Sequence, residues 1–161
     1  MTTAQYNHCV DVYSDGVYRF ILKNIGDQDK ARDIVQDSFE KMWRKVGEIN
    51  HDKARSYLFT TAYHTMIDAI RKDSKQEPLD DNSFNQHSHE EQYSGIKEIL
   101  EEALAKLPSI QRSVILLRDY EGYSYQEIGD ITKLNESQVK VYIYRARVFL
   151  KNYIRNMDVV I

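Results

Sequence analysis

A chain of 161 residues, 42% apolar and 29% charged with a formal net charge of −3, has room for one medium domain or two small ones. One cysteine, Cys9, excludes an intramolecular disulfide, so a reducing cytoplasm is the expected location. No segment approaches the roughly 18 consecutive apolar residues of a membrane helix, and the first eight residues lack the pattern of a signal peptide, so no direct membrane insertion is expected.

Only two prolines occur and strand-like alternation is scarce, which predicts an all-α fold. A first helix is expected over 10–24, burying Val17, Phe20 and Ile21 and ending at Gly26 and Asp27. A second, over 30–46, places Val35, Phe39, Met42 and Val46 on one face with Trp43 beside them. After a break at 47–51, a third over 53–72 buries Leu58, Ala62, Met66 or Ile67, and Ile70. Residues 73–93 are polar, with little that is apolar except Leu79 and Phe84, and form an acidic linker. A second helical unit begins near Gly95 with a stripe of Ile96, Ile99, Leu100, Ala103, Leu104 and Leu107. Pro108 stops that helix and opens the next, which adds Ile110, Val114, Ile115 and Leu117 to the core. The expected division is a domain at 1–74, a flexible linker at 75–94 and a second domain at 95–161.

Residues 124–150 have the form of a helix-turn-helix. Ser124 and Glu127 make a capping box ahead of Ile128 and Ile131. Residues 132–134 turn, and Asn135 with Gln138 caps a second helix that buries Val139, Ile143, Ala146 and Leu150. The outer face keeps Ser137, Lys140, Val141, Tyr144 and Arg145, with Arg147 at its flank. From Lys133 to Arg155 there are six basic residues against one acidic residue, Glu136, a bias that favours DNA over a merely structural hairpin.

Charge is unevenly spread: +1 over 1–75, −6 over 76–101 and +2 over 102–161. Neither end is basic enough for tight DNA binding alone, because phosphate neutralisation supplies most non-specific affinity. A partner that shares the DNA resolves the difficulty.

The segment 107–128, beginning Leu107-Pro-Ser-Ile-Gln-Arg and continuing to Tyr144-Arg-Ala-Arg147, resembles region 4 of the extracytoplasmic-function (ECF) sigma factors of the sigma-70 superfamily. Residues 31–44 resemble their region 2.2, and residues 56–72 their regions 2.3 and 2.4. The resemblance implies a promoter-specificity subunit of RNA polymerase, not an enzyme. Domain 2 opens and reads the −10 element, domain 4 reads the −35 element as duplex, and core polymerase supplies most of the grip through its β′ clamp and β flap. An anti-sigma factor is the implied regulator.

By that resemblance, Asp33, Gln36, Asp37 and Glu40 dock on the polymerase clamp, whose basic surface they complement. The −10 surface is assigned to Tyr57, Tyr63, His64, Asp68, Arg71 and Lys72, on the exposed side of the third helix with Arg55. Aromatic rings there stack unpaired bases and cations follow the single strand. Tyr57 stands where relatives commonly have tryptophan; core packing is the competing role. His64 stands where many relatives have asparagine, and its protonation would make base contact depend on pH.

The −35 surface is assigned to Ser137, Gln138, Lys140, Val141, Tyr144, Arg145 and Arg147. Gln138 brings an adenine-reading amide, Val141 meets a thymine methyl, and Tyr142 replaces a usual arginine and removes a phosphate contact. Gly129 sits where alanine is common and is expected to weaken its helix by about 1 kcal/mol.

Catalytic chemistry has little support. His87 and His89 lack a second ligand pair at metal-binding spacing, and no phosphate loop or nucleophile elbow is present. No metal and no cofactor are expected. The acidic linker, with Asp80, Asp81, Glu90 and Glu91, is expected to cover basic faces of the domains before polymerase binds. The alternative function is a stand-alone helix-turn-helix regulator whose N-terminal helices dimerise or sense a signal.

Overall fold

A computed structural model describes residues 1–76 and 95–160, with side chains described through Lys75 and from Gly95 to Met157. The chain forms two compact units, Met1–Asp81 and Asn82–Ile161. Among the described residues there is no strand. The proposed screening by acidic linker residues, and His87 and His89, lie outside the described residues.

In the first unit, α1 (Thr3–Ile25), α2 (Gln28–Arg44) and α3 (Ala54–Gln76) pack against one another in all three pairings. Helix α1 starts seven residues before its expected beginning. The Thr2 hydroxyl accepts from the Gln5 amide at 3.1 Å, and the Gln5 side chain accepts from the Thr2 amide at 2.9 Å. This capping box satisfies amides that would otherwise be unpaired at the helix start. Gly26, at φ 72°, ends α1 in the left-handed conformation that glycine adopts without steric cost.

Val17, Phe20 and Ile21 are buried as expected, joined by Cys9, and the Phe20 and Phe59 rings lie 5.6 Å apart. The buried face of α2 is rotated from the expected one: Ala31, Ile34, Ser38, Phe39 and Met42 face inward, while Val35 and Val46 are half-buried. The reason is size. Ala31 and Ser38 allow close approach, and the Ser38 hydroxyl satisfies itself on the Ile34 carbonyl at 2.7 Å. A polar residue thus occupies a core position that hydropathy assigned elsewhere. Trp43 is 47% exposed, its ring 4.9 Å from that of Tyr6. Helix α3 buries Ala54, Leu58, Phe59, Ala62, Tyr63 and Met66, leaves Ile70 exposed, and runs two residues into the range expected to be linker.

In the second unit, α4 (Ile96–Lys106), α5 (Ser109–Ile115) and α6 (Tyr125–Thr132) each pack on α7 (Glu136–Val160). Ile96, assigned to the α4 stripe, is exposed, whereas Ala103, Leu104 and Leu107 are buried. Between α4 and α5, the Arg112 guanidinium donates to the carbonyls of Leu104, Ala105 and Leu107, each at 2.8 Å. The Leu104 carbonyl also accepts from the Leu107 amide at 3.2 Å, and a cation at this helix C-terminus meets the negative end of the helix dipole. Burial pushes the pKa of Arg112 down from its ordinary value.

Helix α5 widens into a π-helical turn at Leu116–Tyr120. The wider turn accompanies four consecutive buried apolar residues, Val114 to Leu117, a run that an ordinary amphipathic stripe does not contain. Each such large side chain contributes roughly 1.5–3 kcal/mol on burial. Gly122, at φ 79°, then turns the chain toward α6.

Candidate nucleic-acid interfaces

The helix-turn-helix is built by two capping boxes and one left-handed residue. Ser124 accepts from the Glu127 amide at 3.1 Å while Glu127 accepts from the Ser124 amide at 2.9 Å. Lys133 closes α6 at φ 61°, and the Leu134 amide donates to the Gly129 carbonyl at 3.1 Å. Asn135 then accepts from the Gln138 amide at 2.8 Å, and the Gln138 Oε1 accepts from the Asn135 amide at 3.0 Å. Val139, Ile143 and Ala146 are buried, and Leu150 is half-buried.

The turn changes the meaning of Gly129. A Cβ built there would lie 2.7 Å from the Leu134 carbonyl oxygen, closer than a Cβ tolerates. Gly129 is therefore not simply a weak helix former: it makes room for the turn that aims α7.

Ser137, Gln138, Lys140, Val141, Tyr144 and Arg145 are exposed together near the start of α7, with Tyr144 at 69%. Asn135, Ser137, Gln138, Val141, Tyr142 and Arg145 line a shallow concavity of about 320 Å³. The positive end of the α7 dipole lies at the same place, favourable to phosphate. Tyr142 was missed as a lining residue, because the family resemblance marked it only as the replacement of a usual arginine.

Two cations in this surface have partners of their own. Arg147 forks onto Asp119 at 2.6 and 3.3 Å, a bond that pushes its pKa above the usual value. Lys140 stands 3.8 Å from Glu136 and 5.6 Å from the centre of the Tyr125 ring, which Arg118 also covers at 4.4 Å. Among the described residues no ion pair engages Arg145.

In the first unit, α2 and α3 enclose a groove of about 400 Å³ lined by Lys41, Arg44, Lys45, Tyr57, Thr60, Thr61, His64, Thr65 and Asp68. It brings together three of the residues assigned to the −10 surface, Tyr57, His64 and Asp68. Arg71 and Lys72 are exposed further along α3 and do not line it. Tyr63 is a correction: it is 6% exposed and belongs to the core. It shares a helix face with Phe59 and Met66, four residues before and three after, and both are buried. Burial pushes its phenol pKa up.

The cations Lys41, Arg44 and Lys45 and the threonines of the groove were missed by sequence reasoning. Their signal was present in the 41, 44, 45 and 57, 60/61, 64/65, 68 spacings, which align one face on each helix. Lys41 binds in two directions, to Thr65 Oγ1 at 3.0 Å and to Asp37 at 3.0 Å.

On the outer side of α2, Asp33, Gln36 and Glu40 are exposed and Asp37 is half-buried. They form the expected acidic strip. Burial, and secondarily the charge of Glu40, push the pKa of nearby Tyr6 up, while its hydroxyl donates to the Phe39 carbonyl at 3.0 Å. Among the described residues no His, Cys, Asp and Glu cluster suits a metal ion, and no helix is long and apolar enough to cross a membrane.

An acidic strip and a cationic groove on one helical unit, and a helix-turn-helix on another, define a two-part helical protein with two candidate nucleic-acid surfaces. The comparisons identify the class. Sigma-70 region 2 matches residues 9–76, and sigma-70 region 4 matches residues 97–150. The chain is 31% identical over 153 residues to the RNA polymerase sigma factor SigV of Bacillus subtilis, covering 93% of this chain and 91% of that protein. It is 28% identical over 148 residues to the ECF RNA polymerase sigma factor SigM of the same organism, covering 87% and 89%. Its fold is also that of the sigma factor RpoE in a co-crystal structure with the anti-sigma factor NepR from Bartonella quintana. There the TM-score is 0.76 at 22% identity, over 93% of this chain and 96% of that one. The chain belongs to the ECF group of the sigma-70 family.

Proposed function

We propose that this protein is a promoter-specificity subunit of bacterial RNA polymerase that starts transcription at a restricted set of promoters. The observation that carries this reading is the presence of both sigma-70 regions in one chain, each with a surface suited to its task. The acidic strip Asp33, Gln36, Asp37 and Glu40 docks on the β′ clamp. The groove between α2 and α3 takes unpaired −10 bases: Tyr57 offers a ring, Thr60, Thr61 and His64 offer polar atoms, and Lys41, Arg44 and Lys45 face the backbone phosphates. Arg71 and Lys72 extend that cationic track along α3. The face Ser137, Gln138, Lys140, Val141, Tyr144 and Arg145 enters the major groove of the −35 duplex, with Arg147 as its support.

Residues 1–74 and 95–161 act as the two DNA-reading domains, in the cytoplasm, with 75–94 joining them. The protein adds no catalysis of its own; sigma factors are non-enzymatic initiation factors. An anti-sigma factor holds it inactive, a role supported by the complex of the similarly folded RpoE with the anti-sigma factor NepR.

Run-off transcription with core polymerase, followed by mapping of start sites, tests the proposal. Promoter-specific transcripts that require both core and this protein are expected. A dimer that protects an operator without polymerase, and gives no transcripts with it, refutes the proposal.

A further inference from the structure

Helix α7 has two flanks as well as a face. Val139, Ile143 and Ala146 set its buried side, which leaves Ser137, Val141 and Tyr144 along the middle of the exposed side. At about 100° per residue, Lys140 and Tyr142 fall on opposite flanks of that side, roughly 160° apart around the axis. A helix seated in the major groove has base edges beneath its exposed middle and a phosphate backbone along each flank. Lys140 and Arg147, seven residues apart, share one flank and supply it with charge. The other carries Asn135, Gln138 and Tyr142, which line the concavity together with Arg145, a residue nearer the middle.

On this second flank Asn135 and Gln138 already hold each other in the capping box. The Tyr142 hydroxyl has no prior partner: it is neither buried nor engaged by a hydrogen bond among the described residues. Its side chain is half-buried, and a ring with only two torsions loses little freedom when it binds. A tyrosine hydroxyl donates to a phosphate oxygen as serine, asparagine and backbone amides do. Unlike lysine or arginine, it brings no cation, so it releases no counterion.

Resting on the promoter-reading role of this face, we infer that Tyr142 is a phosphate-contacting residue of the −35 interface, donating from its hydroxyl to the backbone opposite the one that Lys140 meets. This replaces the expectation that tyrosine at this position removes a phosphate contact. The contact stays and its charge goes, so the grip on this strand is less sensitive to salt than one made through arginine.

The test uses holoenzyme reconstituted from core polymerase and the full chain, bound to a promoter mapped by run-off transcription, over a series of salt concentrations. Tyr142→Phe removes one oxygen and keeps the ring. It is expected to weaken binding about tenfold, the low end for a hydrogen bond to a charged group. The loss should be the same for every sequence of the upstream element, and the slope of log affinity against log salt should not change. Tyr142→Arg is expected to steepen that slope by about 0.9, one phosphate neutralised. The unfolding midpoint of Tyr142→Phe, measured alongside, should match wild type. Affinity of Tyr142→Phe within twofold of wild type overturns the inference. So does a loss confined to one base pair of the upstream element, which assigns the hydroxyl to a base edge, or a loss that follows a lowered midpoint, which assigns it to folding. All three outcomes leave transcription dependent on core polymerase, whereas failure of the promoter-reading role abolishes it, so the two failures are distinguishable.

Discussion

Replacing Arg112 with methionine tests how the second unit is held together. Arg112 makes three hydrogen bonds of 2.8 Å to the last carbonyls of α4 and the residue after it. Hydrogen bonds to charged groups contribute about 1.5–3 kcal/mol each. Against this stands the cost of burying a guanidinium, several kcal/mol, which the lowered pKa of Arg112 reflects. Methionine recovers apolar contact but leaves the three carbonyls without these donors. The expected net loss is about 3 kcal/mol, a large part of the 5–15 kcal/mol that holds a typical domain. Arg112→Lys, with a point charge in place of a fork, should lose about 2 kcal/mol. Urea denaturation followed by far-UV circular dichroism measures the loss. Native-state hydrogen exchange at the amides of α4 and α5 assigns it to this unit. A midpoint for Arg112→Met within about 0.5 kcal/mol of wild type refutes the account, because that is the scatter of neutral surface changes.

Gly129→Ala gains about 1 kcal/mol of helix propensity but places a methyl group 2.7 Å from a backbone oxygen. With overpacking at about 1–3 kcal/mol, a net loss of roughly 1 kcal/mol is expected by the same denaturation assay. A gain in stability restores the propensity argument. Charge reversal of the exposed pair, Asp33→Lys with Glu40→Lys, should weaken binding to core polymerase at least tenfold in a competition assay. The melting temperature should stay near that of wild type, since both residues are exposed. Arg145→Ala should lower the slope of log affinity of holoenzyme for promoter against log salt by about 0.9, one phosphate contact. An unchanged slope excludes Arg145 from the backbone.

The all-helical fold was legible because its signals are local. Ser124 with Glu127 and Asn135 with Gln138 announced the helix starts, and Val139, Ile143 and Ala146 repeated at helical spacing. What escaped was tertiary in origin. Thr2 and Gln5 are a weak signal until their mutual hydrogen bonds are seen, so α1 was expected to begin too late. On α2, hydropathy chose Val35 over Ser38, although the hydroxyl of Ser38 needs only its own helix for a partner. Tyr63 was placed outside because tyrosine suits either side, and only its neighbours Phe59 and Met66 decide. The groove needed two helices to exist: no single segment shows that Lys41 and His64 line one cavity.

Lys41 gives the first unit an electrical economy of its own. Its ammonium stands between Asp37, in the acidic strip, and Thr65, on the wall of the groove. The charge felt inside the groove is thus partly set by a carboxylate assigned to the acidic strip. A substitution at Asp37 reaches both surfaces: it removes a charge from the proposed docking strip and leaves a less neutralised cation beside the groove. Asp33 and Glu40 make no such contact, so substitutions there test the proposed docking on polymerase without disturbing Lys41. Strip and groove are two terminals of one short circuit, and their effects will add only where Lys41 is left out of it.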